Sequence, residues 1–355
     1  MGTRKKIVLG MSGGVDSSVA AVILKELGYE VIGIYMRNWH ETMTNGTCSA
    51  ELDYVDVRRV ACLLEIPYYT IDLSHEYSEK VFKLFLDEYK AGRTPNPDVL
   101  CNREIKFGPF KDFADKLGAD YIATGHYAGI VSKDDGLRLV RAKDENKDQT
   151  YFLNQVRVEQ LKKVVFPLAD LTKTEVRDIA KKHGLPTADK KDSTGICFIG
   201  ERKFREFLST YIPMQEGEIY NLDGKLCGTH KGVFYYTIGQ RKGLAIGGGG
   251  NGNPYFVVKK DVEKNILYVN QGECKELFST QLIATNLNLI NEKIVDGMRV
   301  SARIRHRQQL VDATVYSHNC NSVRIVFDTP VRAVTPGQYA VIYKEKVCIG
   351  GGVIE

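Results

Sequence analysis

The sequence predicts an α/β protein: an N-terminal doubly wound parallel sheet, then a small β-rich central unit, then a C-terminal β-barrel. Three observations predict it. From residue 5 to about residue 200, short apolar runs alternate with longer amphipathic segments, the βαβα rhythm of a parallel sheet with helices on both faces. Runs such as Val31-Ile-Gly-Ile-Tyr are apolar throughout, as strands buried on both sides are. After about residue 212 the rhythm gives way to short β-rich runs split by glycine turns, and from Ser279 onward their spacing fits a small barrel. The expected divisions are 1–205, 206–278 and 279–355.

Taken in order, Lys6-Ile-Val-Leu-Gly reads as a strand and Ser17 to Leu27 as a helix, with Val19, Ala20, Val22, Ile23 and Leu27 on its apolar stripe. Glu30 to Met36 is a second strand, Asp53 to Glu65 a helix, Pro67 to Leu73 a third strand and Glu76 to Lys90 a helix. Phe107 to Leu117 is a helix that feeds the strand Asp120-Tyr-Ile-Ala-Thr-Gly. Helical patterns follow over Lys173 to His183 and Lys203 to Tyr211. Val233-Phe-Tyr-Tyr-Thr-Ile, Tyr255-Phe-Val-Val and Ile266-Leu-Tyr-Val read as strands, and the glycine-rich run from Gly247 as a hairpin connector. Ser301-Ala-Arg-Ile-Arg-His-Arg-Gln reads as a strand whose Arg303, Arg305 and Arg307 share one face.

The chain of 355 residues is long enough for two or three cores, and 26% charged with 43% hydrophobic residues is ordinary for a soluble globular protein. No apolar run reaches the ~20 residues of a membrane helix. The start, Met1-Gly-Thr-Arg-Lys-Lys, leads into a run too brief for a signal-peptide core, so a cytosolic protein is expected. A net charge of +5 permits nucleic-acid binding without demanding it. The eight cysteines stand at 48, 62, 101, 197, 227, 274, 320 and 348, and none forms a CxxC pair, which excludes zinc-ribbon and thioredoxin readings. With no coiled coil or obvious dimer face, a monomer is expected.

The first chemistry-bearing motif is Gly10-Met-Ser-Gly-Gly-Val-Asp-Ser-Ser, between the first strand and the first helix. Glycines let backbone N–H groups turn inward, and the helix N-terminus adds partial positive charge; Ser12, Ser17 and Ser18 add hydroxyls. The result is a cradle for phosphates formed by Gly10, Met11, Ser12, Gly13, Gly14, Val15, Asp16 and Ser17. It is neither a Walker A loop nor a GxGxxG fingerprint. A plain turn with an N-cap is the competing reading. The SGGVDS loop resembles that of the ATP pyrophosphatases, which split ATP into AMP and pyrophosphate to adenylate an oxygen. That resemblance implies ATP with Mg2+, to which Asp16 would contribute. Met36 and Gly125, at the ends of two strands, sit where open α/β sheets bind ligands and would line the adenosine side.

The second motif is Thr94-Pro-Asn-Pro-Asp-Val-Leu-Cys-Asn-Arg-Glu-Ile-Lys-Phe. Its prolines fix an extended loop, and Asp98 either caps a helix beginning at Val99 or does chemistry. Cys101 follows near a helix N-terminus, with Arg103 and Lys106 close in sequence, which marks it as a candidate reactive thiol. The third is Lys190-Lys-Asp-Ser-Thr-Gly-Ile-Cys-Phe-Ile-Gly; alone, Cys197 would read as a core cysteine.

In combination and in this order, these three stretches closely resemble the bacterial tRNA-specific 2-thiouridylases, along the whole chain. The resemblance implies ATP-dependent replacement of the C2 oxygen of a wobble uridine by sulfur. It gives Cys197 a persulfide received from a cysteine desulfurase or sulfur-relay protein, and makes Cys101 the partner thiol that ends in a disulfide with Cys197. Asp98 becomes a general acid/base at the uridine, with Asn96 and Pro97 contacting the base. The family pattern further implies tRNA contacts at His126, Lys147, Asp148, Gln149, Arg305, His306 and Gln338, and tRNAs for lysine, glutamate and glutamine as substrates. Alternatives are an amidating or argininosuccinate-type ATP pyrophosphatase, a tRNA thiolase acting on another base, a non-catalytic RNA-binding module or redox sensor, and an iron–sulfur cluster on Asp98, Cys101 and Cys197.

Overall fold

The computed structural model describes residues 4–39, 49–192, 204–246 and 252–355. The first sheet is built from β1 (Lys6–Gly10), β2 (Glu30–Arg37), β3 (Tyr68–Asp72), β4 (Tyr121–Thr124) and, after the hairpin β5 (Ala128–Lys133) and β6 (Gly136–Arg141), β7 (Val164–Val165). Its order is β3-β2-β1-β4-β7. All four pairings are parallel, with Ile7 facing Val31 on one side and Tyr121 on the other. Alternate residues feed two cores. Val8, Ile32, Ile34 and Ile122 point into one, and Ile7, Leu9, Val31, Tyr35 and Ala123 into the other.

Helices cover both faces. On the second core lie α1 (Val15–Glu26) and α2 (Ser49–Leu63). The first core takes the run α3 (Ser74–Tyr77), a π-helical turn Ser78–Phe82 and α4 (Lys83–Lys90). It also takes α5 (Pro97–Cys101), which continues as a second π-helical turn, Asn102–Lys106, and α6 (Pro109–Lys116). The short α7 (Thr150–Leu153) and α8 (Val158–Leu161) follow β6. Then α9 (Lys173–Lys182), opened by a Thr172–Glu175 capping box, returns to the face of α1, where Val176 and Ala180 are buried. The doubly wound arrangement expected from the sequence is present.

After α10 (Phe204–Ser209) come β8 (Gly217–Asn221), β9 (Leu226–His230), β10 (Tyr255–Asp261) and β11 (Ile266–Gln271), forming a sheet in the order β10-β11-β8-β9. Val233–Tyr235, expected as part of a strand, is a single 3-10 turn. Its aromatic residues are not alternately in and out: Tyr235 and Tyr236 are both buried, and the Tyr235 hydroxyl donates to the Ile212 carbonyl.

The remaining strands are β12 (Phe278–Leu289), β13 (Met298–Arg303), β14 (Val311–Asn319), β15 (Ser322–Arg332), β16 (Tyr339–Lys344) and β17 (Val347–Ile354). They run β12-β15-β14-β13-β16-β17, and β17 pairs back onto β12, closing a six-stranded barrel around Ala302, Val315, Ile325 and Ile342. Two features were not anticipated. The hairpin β5–β6 belongs to the N-terminal half of the chain, yet β6 hydrogen-bonds to β17 through Val140 and Leu139, so it extends the barrel sheet. And the expected strand Ser301–Gln308 stops at Arg303; the chain bends over the next residues and turns at Arg307, whose φ is 65°. Arg303, Arg305 and Arg307 therefore do not form one row.

Candidate active site

The phosphate loop leaves the C-terminal end of β1. Gly14 caps α1, so Val15, Asp16 and Ser17 form its first turn. Hydroxyls hold the loop in shape: Ser12 N–H donates to Ser17 Oγ at 3.2 Å, Ser17 Oγ donates to the Gly14 carbonyl at 3.1 Å, and Ser18 Oγ to the same carbonyl at 2.9 Å. Gly13 has φ 75°, and a Cβ there would lie 2.4 Å from the Asp53 carbonyl oxygen. Met36 closes the floor, since a Cβ on Gly10 would lie 3.1 Å from its Cε.

The loop has no cation of its own; the fold brings two to it. Lys173, the first residue of α9, places Nζ 2.7 Å and 2.9 Å from the two Asp16 oxygens and 2.8 Å from Asp192 Oδ1. Lys190 donates to the Gly13 carbonyl at 3.0 Å, Asp53 at 2.7 Å and Asp56 at 2.6 Å. The Tyr127 hydroxyl also donates to Asp16, at 2.8 Å. Burial first, and then the Asp16 charge, push that phenol well above its ordinary range. Asp192 gathers Lys147 (2.6 Å), Lys173 and Arg177 (3.2 Å). Burial opposes its charge, but hydrogen bonds from Lys147 and Lys173 outweigh it and hold the carboxyl down at about 2. Sequence reasoning did not single out Lys173, Asp53 or Asp192: a lysine at a helix start has no local signature.

The second loop is Thr94 to Asp98. Asn96, not Asp98, caps α5, its side chain accepting from Val99 N–H at 3.4 Å with Pro97 in the first turn. Asp98 is thereby left uncommitted to capping. Burial pushes its carboxyl up, while the charge of Lys106 pulls the other way. Cys101 is buried, 1% exposed, and sits at the fifth residue of α5, a full turn past the N-terminus, where the helix dipole has faded. Arg103 turns away to Glu104 (2.6 Å) and Gln155 (3.3 Å). Cys197 lies outside the described residues.

Gly125–His126, just past β4, lies between the phosphate loop and the turn Asn102–Lys106 that follows α5. A Cβ on Gly125 would lie 2.9 Å from the Ser17 nitrogen, so only glycine lets β4 and α1 approach this closely. The next residue, His126, is buried between Thr124 Oγ1 (2.7 Å from Nδ1) and Lys106 Nζ (3.4 Å from Nε2). Burial and then Lys106 hold this imidazole well below its usual range, hence neutral. The charge of Lys106 also acts on Asp98.

The other expected RNA-contact positions divide. Asp148 is buried and accepts from Thr150 Oγ1 (2.9 Å), with Arg303 at 3.4 Å and Arg141 at 3.6 Å. Gln149 clamps Tyr127, accepting its N–H at 2.9 Å and donating its own backbone N–H to the Tyr127 carbonyl at 2.8 Å. Lys147 is engaged by Asp192. Arg305 donates to the Ile238 carbonyl (3.1 Å) and Thr335 Oγ1 (3.3 Å). His306 packs on Phe152 with ring centroids 4.4 Å apart. Burial, aided by Arg307, Arg303 and Lys147, holds it down at about 4. Gln338 donates to the Thr94 carbonyl at 2.8 Å. Among the described residues no group of three or more His, Cys, Asp and Glu side chains is arranged to hold a metal. Nor is any helix among them long and apolar enough to cross a membrane.

Comparison with known proteins matches three family models along the chain. They are a tRNA methyl transferase HUP domain over residues 5–201, a tRNA methyl transferase PRC-barrel domain over 205–271 and an aminomethyltransferase beta-barrel domain over 279–354. A tRNA-specific 2-thiouridylase MnmA of Listeria monocytogenes is 56% identical over 99% of this chain and 94% of its own. Proteins of the same name are 56% identical in Staphylococcus carnosus and 55% in Bacillus licheniformis, each over 99% of this chain and 95% of theirs.

Proposed function

The chain belongs to the tRNA-specific 2-thiouridylase family, and from that premise we propose how its residues carry out ATP-dependent 2-thiolation of a tRNA wobble uridine. It is an enzyme of the transferase class, acting on tRNA with ATP and Mg2+. The observation that carries the reading is the junction at Gly125–His126, which sets the phosphate loop beside Lys106, a residue of the turn that directly continues the helix bearing Asp98 and Cys101. Although two of the matching models are described as methyl transferases, methyl transfer calls for neither a phosphate loop nor a paired thiol.

The C2 oxygen of uracil is a poor leaving group. The loop Gly10–Ser17 holds the phosphates with backbone N–H groups and the α1 N-terminus. Met36 and Gly125 would border the adenosine, and Asp16, held by Lys173 and Tyr127, would help hold the magnesium that accompanies the phosphates. Attack of the C2 oxygen on the α-phosphorus expels pyrophosphate and leaves that oxygen bonded to AMP. The terminal sulfur of a Cys197 persulfide then attacks C2, and AMP departs with the oxygen. The Cys101 thiolate attacks the inner sulfur of that persulfide, so the S–S bond breaks and the outer sulfur stays on C2 as the thiocarbonyl. A Cys101–Cys197 disulfide results, which an external dithiol must reduce before the next turnover.

Asp98, whose carboxyl burial pushes up against the pull of Lys106, moves protons at the base, and Asn96 and Pro97 border it. Residues 1–205 carry the chemistry, 206–278 form the central unit and 279–355 the RNA-binding barrel. The persulfide comes from a cysteine desulfurase or sulfur-relay protein, in the cytoplasm, and the protein acts as a monomer on tRNAs for lysine, glutamate and glutamine. Incubation with ATP, a persulfide source and unmodified tRNA, followed by nucleoside analysis, tests this. The expected product is 2-thiouridine; AMP and pyrophosphate formed without it would keep the nucleotide half and discard sulfur transfer.

A further inference from the structure

We propose that the barrel loop Thr335–Gln338 is a positioning element for Asp98, and that Gln338 acts on the reaction through the Thr94–Asp98 loop. The inference rests on the thiolation reading above. Thr94 N–H donates to the Pro336 carbonyl at 2.8 Å, and Gln338 Nε2 donates to the Thr94 carbonyl at 2.8 Å and the Pro95 carbonyl at 3.4 Å. Both polar backbone groups of Thr94 are thus satisfied by the barrel, not by the domain to which Thr94 belongs. Thr94 and Thr335 are buried, 8% and 2% exposed.

The barrel side is itself anchored. Gly337 N–H donates to the Ile354 carbonyl at 2.9 Å, Ile354 N–H to the Gln338 carbonyl at 2.8 Å, and Gln338 N–H to the Thr335 carbonyl at 3.2 Å. Arg305 holds Thr335 Oγ1 at 3.3 Å. From Thr94 the way to Asp98 is short and stiff: Pro95 and Pro97 each have a fixed φ, and Asn96 between them is committed to capping α5. A shift at Thr94 is therefore passed on to the Asp98 carboxyl instead of being absorbed. Gly337 gives an independent handle. Its φ is 90°, and a Cβ on it would lie 2.9 Å from the Thr94 nitrogen.

The test separates positioning from RNA contact. Gln338→Ala, Gln338→Glu and Gly337→Ala are compared with wild type for single-turnover thiolation at saturating tRNA and ATP, and for tRNA Kd. A carboxylate at 338 cannot donate to two carbonyls, so Gln338→Glu should match Gln338→Ala. Expected is a rate lower by roughly 10- to 100-fold, with Kd unchanged within about twofold. Gly337→Ala offers RNA no lost side chain, so a rate loss there cannot come from a missing contact; should it fail to fold, the two Gln338 variants still decide. A tenfold rise in Kd with an unchanged saturated rate would overturn the positioning role, as would full activity in all variants. Wild-type protein that forms no 2-thiouridine would instead overturn the thiolation reading itself.

Discussion

Lys173 and Asp16 form a two-pronged ion pair, Nζ lying 2.7 Å from Oδ1 and 2.9 Å from Oδ2, so the only carboxylate of the phosphate loop is neutralised from a helix more than 150 residues away in sequence. The same ammonium reaches Asp192 at 2.8 Å. Charge that a Walker-type loop would carry within itself is here delivered by α9.

Lys173→Met should therefore weaken ATP more than tRNA. Losing a charged donor beside the phosphates is worth about 1.5–3 kcal/mol, or roughly 10- to 100-fold in the KM for ATP. Steady-state AMP formation against ATP concentration measures it. Asp192→Asn leaves Lys173 on Asp16 and should keep that KM within about twofold; an equal loss in both variants would make Lys173 merely the anchor of Asp192.

Cys101→Ser and Cys197→Ser should each abolish 2-thiouridine while sparing ATP cleavage to AMP and tRNA binding. Mass spectrometry of the nucleosides, run beside an AMP assay, checks both. Full thiolation by either serine variant would remove that cysteine from the sulfur path.

Arg303 and Arg307 should part company. Arg303→Ala leaves Asp148 buried with a partner missing, which costs about 3–5 kcal/mol and shows as a lower Tm. Arg307 is exposed at the turn. Arg307→Ala should leave Tm unchanged and reduce the salt slope of tRNA binding by about one charge. Identical behaviour of the two would restore the arginine row.

Stability should fall on mild acidification. Burial holds His126, His230 and His306 below the ordinary histidine range in the folded chain. The folded state thus resists protons that the unfolded state accepts. This contribution is present above the unfolded histidine value near 6.5 and is lost as pH falls towards the folded values, about 4 for His306. Urea unfolding from pH 7.5 to 5 should show declining stability, and His306→Gln should flatten the decline; a slope identical to wild type would place His306 outside it.

Much of this site was legible because its chemistry is local in sequence. The phosphate loop sits at a strand-to-helix junction, and the Pro-Asn-Pro-Asp stretch carries its own rigidity. The parallel strands were readable because burial on both faces makes them uniformly apolar. What escaped had no local signature. Lys173 and Lys190 matter only because folding delivers them to Asp16 and Gly13. Arg303, Arg305 and Arg307 alternate perfectly on paper, but β13 ends at Arg303, whose side chain is buried against Asp148, and the chain turns at Arg307. Val233 to Ile238 has strand composition, yet its tyrosines are drawn into the core from a single turn.

The hairpin β5–β6 stitches onto β17 through Val140–Val347 and Leu139–Cys348, while Thr94 is held by the barrel at Pro336 and Gln338. The N-terminal half of the chain and the barrel thereby share main-chain hydrogen bonds at two places. Such a molecule does not melt piecewise: scission between them would strand an open sheet edge on one fragment and unpaired amides on the other. Heat should dissolve the sheet and barrel in one cooperative event, and recombination of such pieces among relatives is penalised unless both seams are inherited together.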